Sequence, residues 1–353
     1  MDEEEVLERL VRAYSPSGRE AAAVREFGRV ARALGYSVRT DAAGNGIARI
    51  GRGRPHVVYL GHIDTVDGRL TIVRRGGRLY GRGTVDAKGP LAAALIAGPR
   101  AEGSGTYTVV AAVGEEADSR GARYLLRRMA PDAVIGGEPS GWDGITVGYK
   151  GELQVEALFR GRRTHYSSPV PTAADRAWEW VASARALAAA HTVESPFRSL
   201  TCKLVELTAG RTGDAETAKV TVDFRLPPGL STRDLLELLP ATTPGEALTV
   251  RIRVEPLEVD RSNPVVASLL DGVRAIGGRP TLWKKGGTSD LNLVVPVWKV
   301  PGAAYGPGEA HLDHTDRESI SLAELRRSVE VVKVALNRLR SGAITPRRSA
   351  GGA

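Results

Sequence analysis

The residues with chemistry to offer stand where apolar runs end. Residues 56–60 are a short apolar stretch, and Gly61-His62-Ile63-Asp64-Thr65 follows, so His62 and Asp64 alternate onto one face as the run gives out. Residues 106–113 lead in the same way into Gly114-Glu115-Glu116, and residues 133–136 into Gly137-Glu138-Pro139. Between the first two lies the stretch 80–95, a glycine-rich turn that carries Asp86 and opens into an Ala/Leu helix with Pro90 in its first turn. Ligands of open α/β sheets bind at the carboxyl ends of strands. Repeated delivery of histidine and acid to such ends predicts a site, and His314, near the C-terminus, joins the candidates.

Gathered at one sheet edge, Asp64, Asp86, Glu115, Glu116 and Glu138 would repel one another unless something positive sat among them. Divalent metal is the natural answer. Cys202 is the only cysteine, which excludes an internal disulfide and a thiolate cluster. Any ion must then be held by histidine and carboxylate, a donor set that suits zinc, cobalt or manganese. A shared carboxylate can bridge two ions about 3.5–4 Å apart, and Asp86, on the tightest loop, is the best candidate bridge. Singly, each residue has a plainer reading: Asp86 as a helix cap, His62 as a strand-end histidine, Glu115-Glu116 as solvated acids, Glu138 as a loop acid, His311 and His314 as surface residues. The joint pattern is harder to produce by accident than any part.

The elements that must position these groups follow from length and rhythm. A chain of 353 residues favours two domains. Strands alternate with helices to about residue 150, an α/β pattern. Residues 151–260 then run β-α-β-β-α-β, the ferredoxin-like order, and read as an insertion. The first domain resumes over 261–340 with a helix near 264–276, a loop at 286–290, a strand near 294–300, a loop over 305–314 and a helix from about 321. Residues 341–353 read as a disordered tail. No apolar run reaches the roughly 18 residues of a membrane span. The acidic start MDEEEVLERL lacks a signal-peptide layout, so a cytoplasmic address is expected. The net charge of +8 suits an acidic partner. Neither a long basic run nor a zinc finger or RNA-binding signature is present, and nucleic acid is not the expected partner.

In order, Gly61-His62-Ile63-Asp64-Thr65-Val66, residues 81–89, Gly114-Glu115-Glu116, Gly137-Glu138-Pro139, and His314 with Glu318 four residues on resemble the M20 family of dinuclear-zinc amidohydrolases and peptidases. The resemblance implies a zinc-aminopeptidase-like catalytic domain with a mixed central sheet flanked by helices, and an inserted ferredoxin-like dimerisation lid. It implies two divalent ions per subunit: His62 and Glu138 holding one, Glu116 and His314 the other, Asp86 bridging. Glu115 would be the general base toward water and Asp64 the acid fixing the tautomer of His62. In the insertion, residues 161–169 resemble the lid motif whose histidine, here His165, serves the partner subunit's site in a homodimer and supports the oxyanion. Arg225 matches the family's carboxylate-binding arginine, although it also reads as a strand arginine facing water. Gly287, Thr288, Ser289 and Asp290 match a substrate-contacting loop and equally a plain turn. Residues 285–292, 305–308 and 312–315 look most like the branch that releases lysine or ornithine from the γ-carboxyl of the C-terminal glutamate of a small acidic amino-group carrier protein. N-acetylornithine deacetylase and succinyl-diaminopimelate desuccinylase are the enzyme alternatives, and a metal-free binding scaffold the non-enzyme one.

Overall fold

The structure, a computed structural model, describes residues 1–165, 167–240 and 247–344. Most of the expected tail, from residue 345 on, lies outside the described residues. The chain packs as two units: Met1–Val147 with Val259–Trp283 and the residues from Ser289 on, and Gly148–Glu258 with Lys284–Thr288.

The first unit opens with α1 (Glu3–Arg12), α2 (Ala21–Ala33), β1 (Ser37–Thr40), β2 (Gly46–Arg52), β3 (His56–His62), β4 (Val73–Arg75), β5 (Arg78–Tyr80), α3 (Lys88–Arg100), β6 (Gly105–Ala112), α4 (Arg120–Leu125), β7 (Ala133–Gly137) and β8 (Gly144–Tyr149). The second contributes β9 (Gly151–Arg162), α5 (Ala173–Ala190), β10 (Thr201–Thr212), β11 (Ala215–Leu226), α6 (Thr232–Leu238), β12 (Ala247–Val254) and β13 (Leu257–Glu258). The chain continues through α7 (Pro264–Ala275), β14 (Thr281–Lys285), α8 (Asp290–Trp298), β15 (Gly302–Ala304), β16 (Ser319–Ser321) and α9 (Leu322–Arg338).

The main sheet runs β1-β2-β6-β3-β7-β15-β8. β6, β3, β7 and β15 are mutually parallel, and β1, β2 and β8 run against their neighbours, so the sheet is mixed. Its parallel centre is buried on both faces, which is why β6 and β7 are buried at every position and mostly apolar. Val57, Tyr59, Tyr107 and Val109 pack into one core with α1, α2, α3, α7 and α9. On the other face Gly136 lies against Leu291 of α8, where a Cβ would come within 2.7 Å of the leucine side chain. Helix α3 is buried all round from Lys88 to Gly98, as its Ala/Leu composition requires. Register then does the positioning: His62 pairs with Ala112 and Gly61 with Gly137, so the three strands end level.

The second unit has an antiparallel sheet in the order β10-β11-β9-β12. Helix α5, started by a Thr172/Asp175 capping box, closes a separate core around Leu153, Val155, Val222 and Phe224. Its element order is the expected β-α-β-β-α-β.

Some expectations shift. The strand anticipated near 294–300 is helix α8. Ser289 caps it, accepting from Leu291 N, and Asn292 completes a capping box. The apolar run 293–298 is short enough to read either way, and the cap decides it. Strands β8, β14 and β15 were not foreseen. Lys284–Thr288 packs with the second unit, where Lys150 N donates to Lys285 O and Lys284 pairs with Glu258. No described helix is long and apolar enough to cross a membrane.

Candidate metal centre

Because β3, β6 and β7 end together, the loops that leave them converge. Asp86 comes from the turn between β5 and α3. That turn is tight: at Gly83, φ is +85° and a Cβ would sit 2.9 Å from the Thr65 side chain. Glu318, itself buried, accepts from Val85 N at 2.9 Å and Asp86 N at 3.2 Å, and pairs with Arg82 at 2.9 Å. The Asp86 loop is thus pinned from below by a carboxylate whose oxygens are spent on it.

Above that anchor, each oxygen of Asp86 meets one imidazole. Oδ1 is 3.0 Å from His62 Nε2 and Oδ2 is 3.1 Å from His314 Nε2, while His314 Nε2 is also 2.8 Å from Glu116 Oε1. His314 sits in the left-handed region, φ 56°, at a cost of about 1 kcal/mol for a non-glycine residue. Atoms able to ligate a metal fall into two groups, His62–Asp86–Glu138 and Asp86–Glu116–His314, each with its atoms within 4.8 Å of one another. The groups share Asp86. A set of imidazole nitrogens and carboxylates around one common carboxylate fits a pair of divalent ions.

Protonation tells the same story. Burial alone would lower the pKa of His62. The hydrogen bond to Asp86 and the charges of Asp86, Glu115 and Asp64 outweigh it and hold the imidazole well above its usual range. His314 is raised to about 10 by its hydrogen bonds to Asp86 and Glu116. Burial pushes Asp86 up, but both imidazoles pull it well below the usual carboxylate range. Acids gathered this closely demand positive charge among them.

Asp64 takes a different post from the one expected. His62 Nδ1 donates to the Asp64 backbone carbonyl at 3.0 Å, and the Asp64 carboxylate stands farther away, at 3.7 Å. The carbonyl already sets the tautomer that leaves Nε2 facing Asp86. The Asp64 carboxylate accepts from Glu115 N and Glu116 N, both at 3.1 Å, and from Ser17 Oγ at 2.7 Å. It orients the glutamate turn. Burial raises the pKa of Glu115 well above its ordinary value; His62 opposes, and Glu138, Asp290 and Glu116 add to the rise.

Ser17 was not among the expected site residues, and Glu318 and Asp290 entered only as members of matched strings, without a role. Asp290 is buried at the start of α8, and burial pushes its pKa to about 6 against a hydrogen bond from Ser119. Glu318 left a trace in the sequence as an acid at fixed distance from His314, and Asp290 as the end of the matched loop 287–290. Ser17 becomes visible only when the chain is folded.

Of the other expected residues, Ser289 belongs to the first unit, and His165, Arg225, Gly287 and Thr288 belong to the second. Ser289 spends its hydroxyl on the α8 cap. His165, in the second unit, is exposed and bonds Ser167 Oγ at 2.7 Å through Nδ1. Tyr166 beside it lies outside the described residues. Arg225 is not a free arginine: it spans Glu152 at 3.0 Å and Asp223 at 2.9 Å. Thr288 Oγ1 is 3.4 Å from Glu152, and the space around Gly287 is open.

Residues 58–338 match the model of peptidase family M20/M25/M40. The LysW-lysine hydrolase of Deinococcus radiodurans is 37% identical over 324 residues, covering 87% of this chain and 89% of the relative. A Pyrococcus horikoshii protein, provisionally named a LysW-lysine/LysW-ornithine hydrolase, is 35% identical over 339 residues, 95% of this chain and 97% of its own. Among solved structures, an M20 family metallo-carboxypeptidase of Sulfolobus solfataricus superposes with a TM-score of 0.78 at 17% identity, covering 97% of this chain and all of that one, which is a likeness of fold.

Proposed function

The chain belongs to peptidase family M20/M25/M40, and on that premise we propose that it hydrolyses the amide joining L-lysine or L-ornithine to the C-terminal γ-glutamyl carboxyl of LysW, an acidic amino-group carrier protein, in lysine and arginine biosynthesis. The observation that carries this reading is the identity of 35–37% to the relatives so named, over 87–95% of the chain. The shared-carboxylate centre at the strand ends supplies the matching chemistry.

On this reading His62 and Glu138 hold one divalent ion, Glu116 and His314 the other, and Asp86 both. Zinc is the first candidate, with cobalt or manganese as substitutes. Bound there, the ions polarise the amide carbonyl and lower the pKa of water. The chain's own residues do the rest. Glu115 accepts the proton of the attacking water on its carboxylate and returns it to the leaving amine. Asp64 fixes Glu115 and Glu116 by accepting their backbone N–H groups, so that one faces ions and the other water. Arg225 receives the carboxylate of the amino acid to be released, with Gly287 and Thr288 lining the same region of the second unit.

The enzyme acts as a homodimer in this account, and His165 supports the developing oxyanion in the partner subunit's site. Strand β10 supports dimerisation: it is a sheet edge, exposed along most of its length, with Val205 at 57% and Leu207 at 41% exposure. An edge of that length left unpaired invites another chain.

Purified enzyme offered carrier–lysine conjugate and N-acetylornithine side by side tests the reading. We expect kcat/KM to favour the conjugate by orders of magnitude. Faster hydrolysis of N-acetylornithine replaces the proposal with a deacetylase.

A further inference from the structure

The second unit holds a charge cluster whose surplus the reaction as described leaves unused. Glu152 on β9 faces Arg225 on β11 in register, and Asp223 lies two residues before Arg225 on the same face. Arg225 Nη1 is 3.0 Å from Glu152 Oε2, and its Nε is 2.9 Å from Asp223 Oδ2. Both acids are about nine-tenths buried, with exposures of 8% and 9%. One guanidinium therefore serves two carboxylates, and the surplus negative charge sits where water is scarce. Such a charge is costly unless a further cation or donor joins it.

The surplus has an address. Asp223 Oδ1 is buried without a hydrogen-bond partner. Among the described residues, two cations stand near the place. Lys150 directs its ammonium to the carbonyls of Pro196 and Ser199. Lys203 stands opposite Asp223 on β10, but it is exposed and forms no ion pair with Asp223 among the described residues. Burial raises the carboxyl of Glu152; Arg225 opposes the rise, and Asp223 adds to it.

We propose that Glu152 and Asp223 form an ammonium subsite that binds the free amine of the lysine or ornithine to be released, beside the carboxylate that Arg225 holds. This rests on the hydrolase reading above. A diamino acid in amide linkage through one amine keeps its second amine cationic and its carboxylate anionic. The cluster offers the complement of both: a guanidinium for the carboxylate, two acids for the ammonium. It makes the side-chain charge, and not chain length alone, the basis of choice, since a site built for a charged donor rejects an isostere that lacks it.

Calorimetry with the full-length, metal-loaded protein tests this through two free amino acids of equal length, L-lysine and L-2-aminoheptanoic acid, which differ by an ammonium against a methyl group. We expect lysine to bind at least about 30-fold tighter. Asp223→Asn and Glu152→Gln, which keep shape and remove charge, should each cut that preference about tenfold, whereas Arg225→Gln should weaken both ligands alike. Equal binding of lysine and 2-aminoheptanoic acid to the unaltered protein overturns the subsite, and so does a preference that survives both acid substitutions. Carrier–lysine hydrolysis measured in parallel separates the two ideas. Its absence with lysine preference intact defeats the reaction and spares the subsite, and its presence without lysine preference does the opposite.

Discussion

The strand-end centre and the Glu152–Arg225–Asp223 cluster both gather more negative than positive charge, yet they hold it by different means. At the centre the supporting carboxylates are gripped by backbone: Asp64 by the N–H groups of Glu115 and Glu116, Glu318 by those of Val85 and Asp86. In the cluster the carboxylates are gripped by one side chain across a strand pair. Backbone donors cannot swing away, so the centre keeps its geometry whatever approaches. An arginine can release one partner when another anion arrives, and its side chain keeps 32% of its surface exposed. Ion binding needs the first kind of support and recognition tolerates the second. Substitutions should therefore fail abruptly at the centre and gradually in the cluster.

Asp86→Ala is the severest test of the first half. It removes the carboxylate common to both ligand groups. Metal content by elemental analysis should fall from two ions per chain, and kcat/KM should drop well beyond the ~10–100-fold that outer partners of a metal site cost. Retention of two ions would show that Asp86 does not join them.

Within the glutamate pair the effects should split. Glu115→Gln keeps the ions and loses about 10²–10⁴ in kcat, the range of a general base. Glu116→Gln lowers metal occupancy instead. The reverse outcome would exchange the two roles.

In the cluster, Arg225→Ala should raise KM roughly 10–100-fold for every substrate with a free carboxylate, with metal content unchanged, because a charge-assisted hydrogen bond is lost. A fall in kcat alone would move Arg225 out of substrate binding.

A smaller effect concerns the whole molecule. With a net charge of +8, raising salt from about 0.05 to 0.5 M should slow carrier–lysine turnover several-fold through the on-rate, and leave a small acyl-lysine nearly unaffected. Equal sensitivity of both substrates would place the charge effect at the reaction site itself.

The mildest expectation lies outside both regions and serves as a control. Burial pushes His56 down to about 4, with Arg49 and Arg54 acting the same way and Asp132 opposing. The folded state thus binds fewer protons than the unfolded chain, whose histidine titrates near 6.5. The stability from this group is complete above 6.5 and is lost as pH falls toward 4. It amounts to roughly 1–3 kcal/mol. His56→Gln should flatten the fall of the thermal midpoint between pH 7 and 4.5 without altering metal content. An unchanged pH profile would discount the burial of His56.

The strand ends were legible because parallel β-strands buried on both faces leave long apolar signatures and the residues after them are polar and few. The same reasoning failed for α8: a run of six apolar residues carries no decisive period, and only the Ser289 cap distinguishes helix from strand. Arg225 was legible as an arginine on a strand, but its two acidic partners were not. Asp223 is a neighbour in sequence, whereas Glu152 reaches it only through antiparallel register across more than seventy positions.

Residue type and order by themselves determined which groups could hold ions, that sulfur would not be among them, and that three strands would carry them to one edge. Composition settles donor chemistry, and periodicity settles where strands stop. Tertiary structure alone decided how the acids divide their labour. It gave each oxygen of Asp86 to a different imidazole, turned the Asp64 carboxylate to the glutamate backbone and its carbonyl to His62, and set Glu318 beneath the Asp86 loop. Those assignments depend on direction, and the direction of a side chain is settled by the packing around it, which no spacing along the chain records.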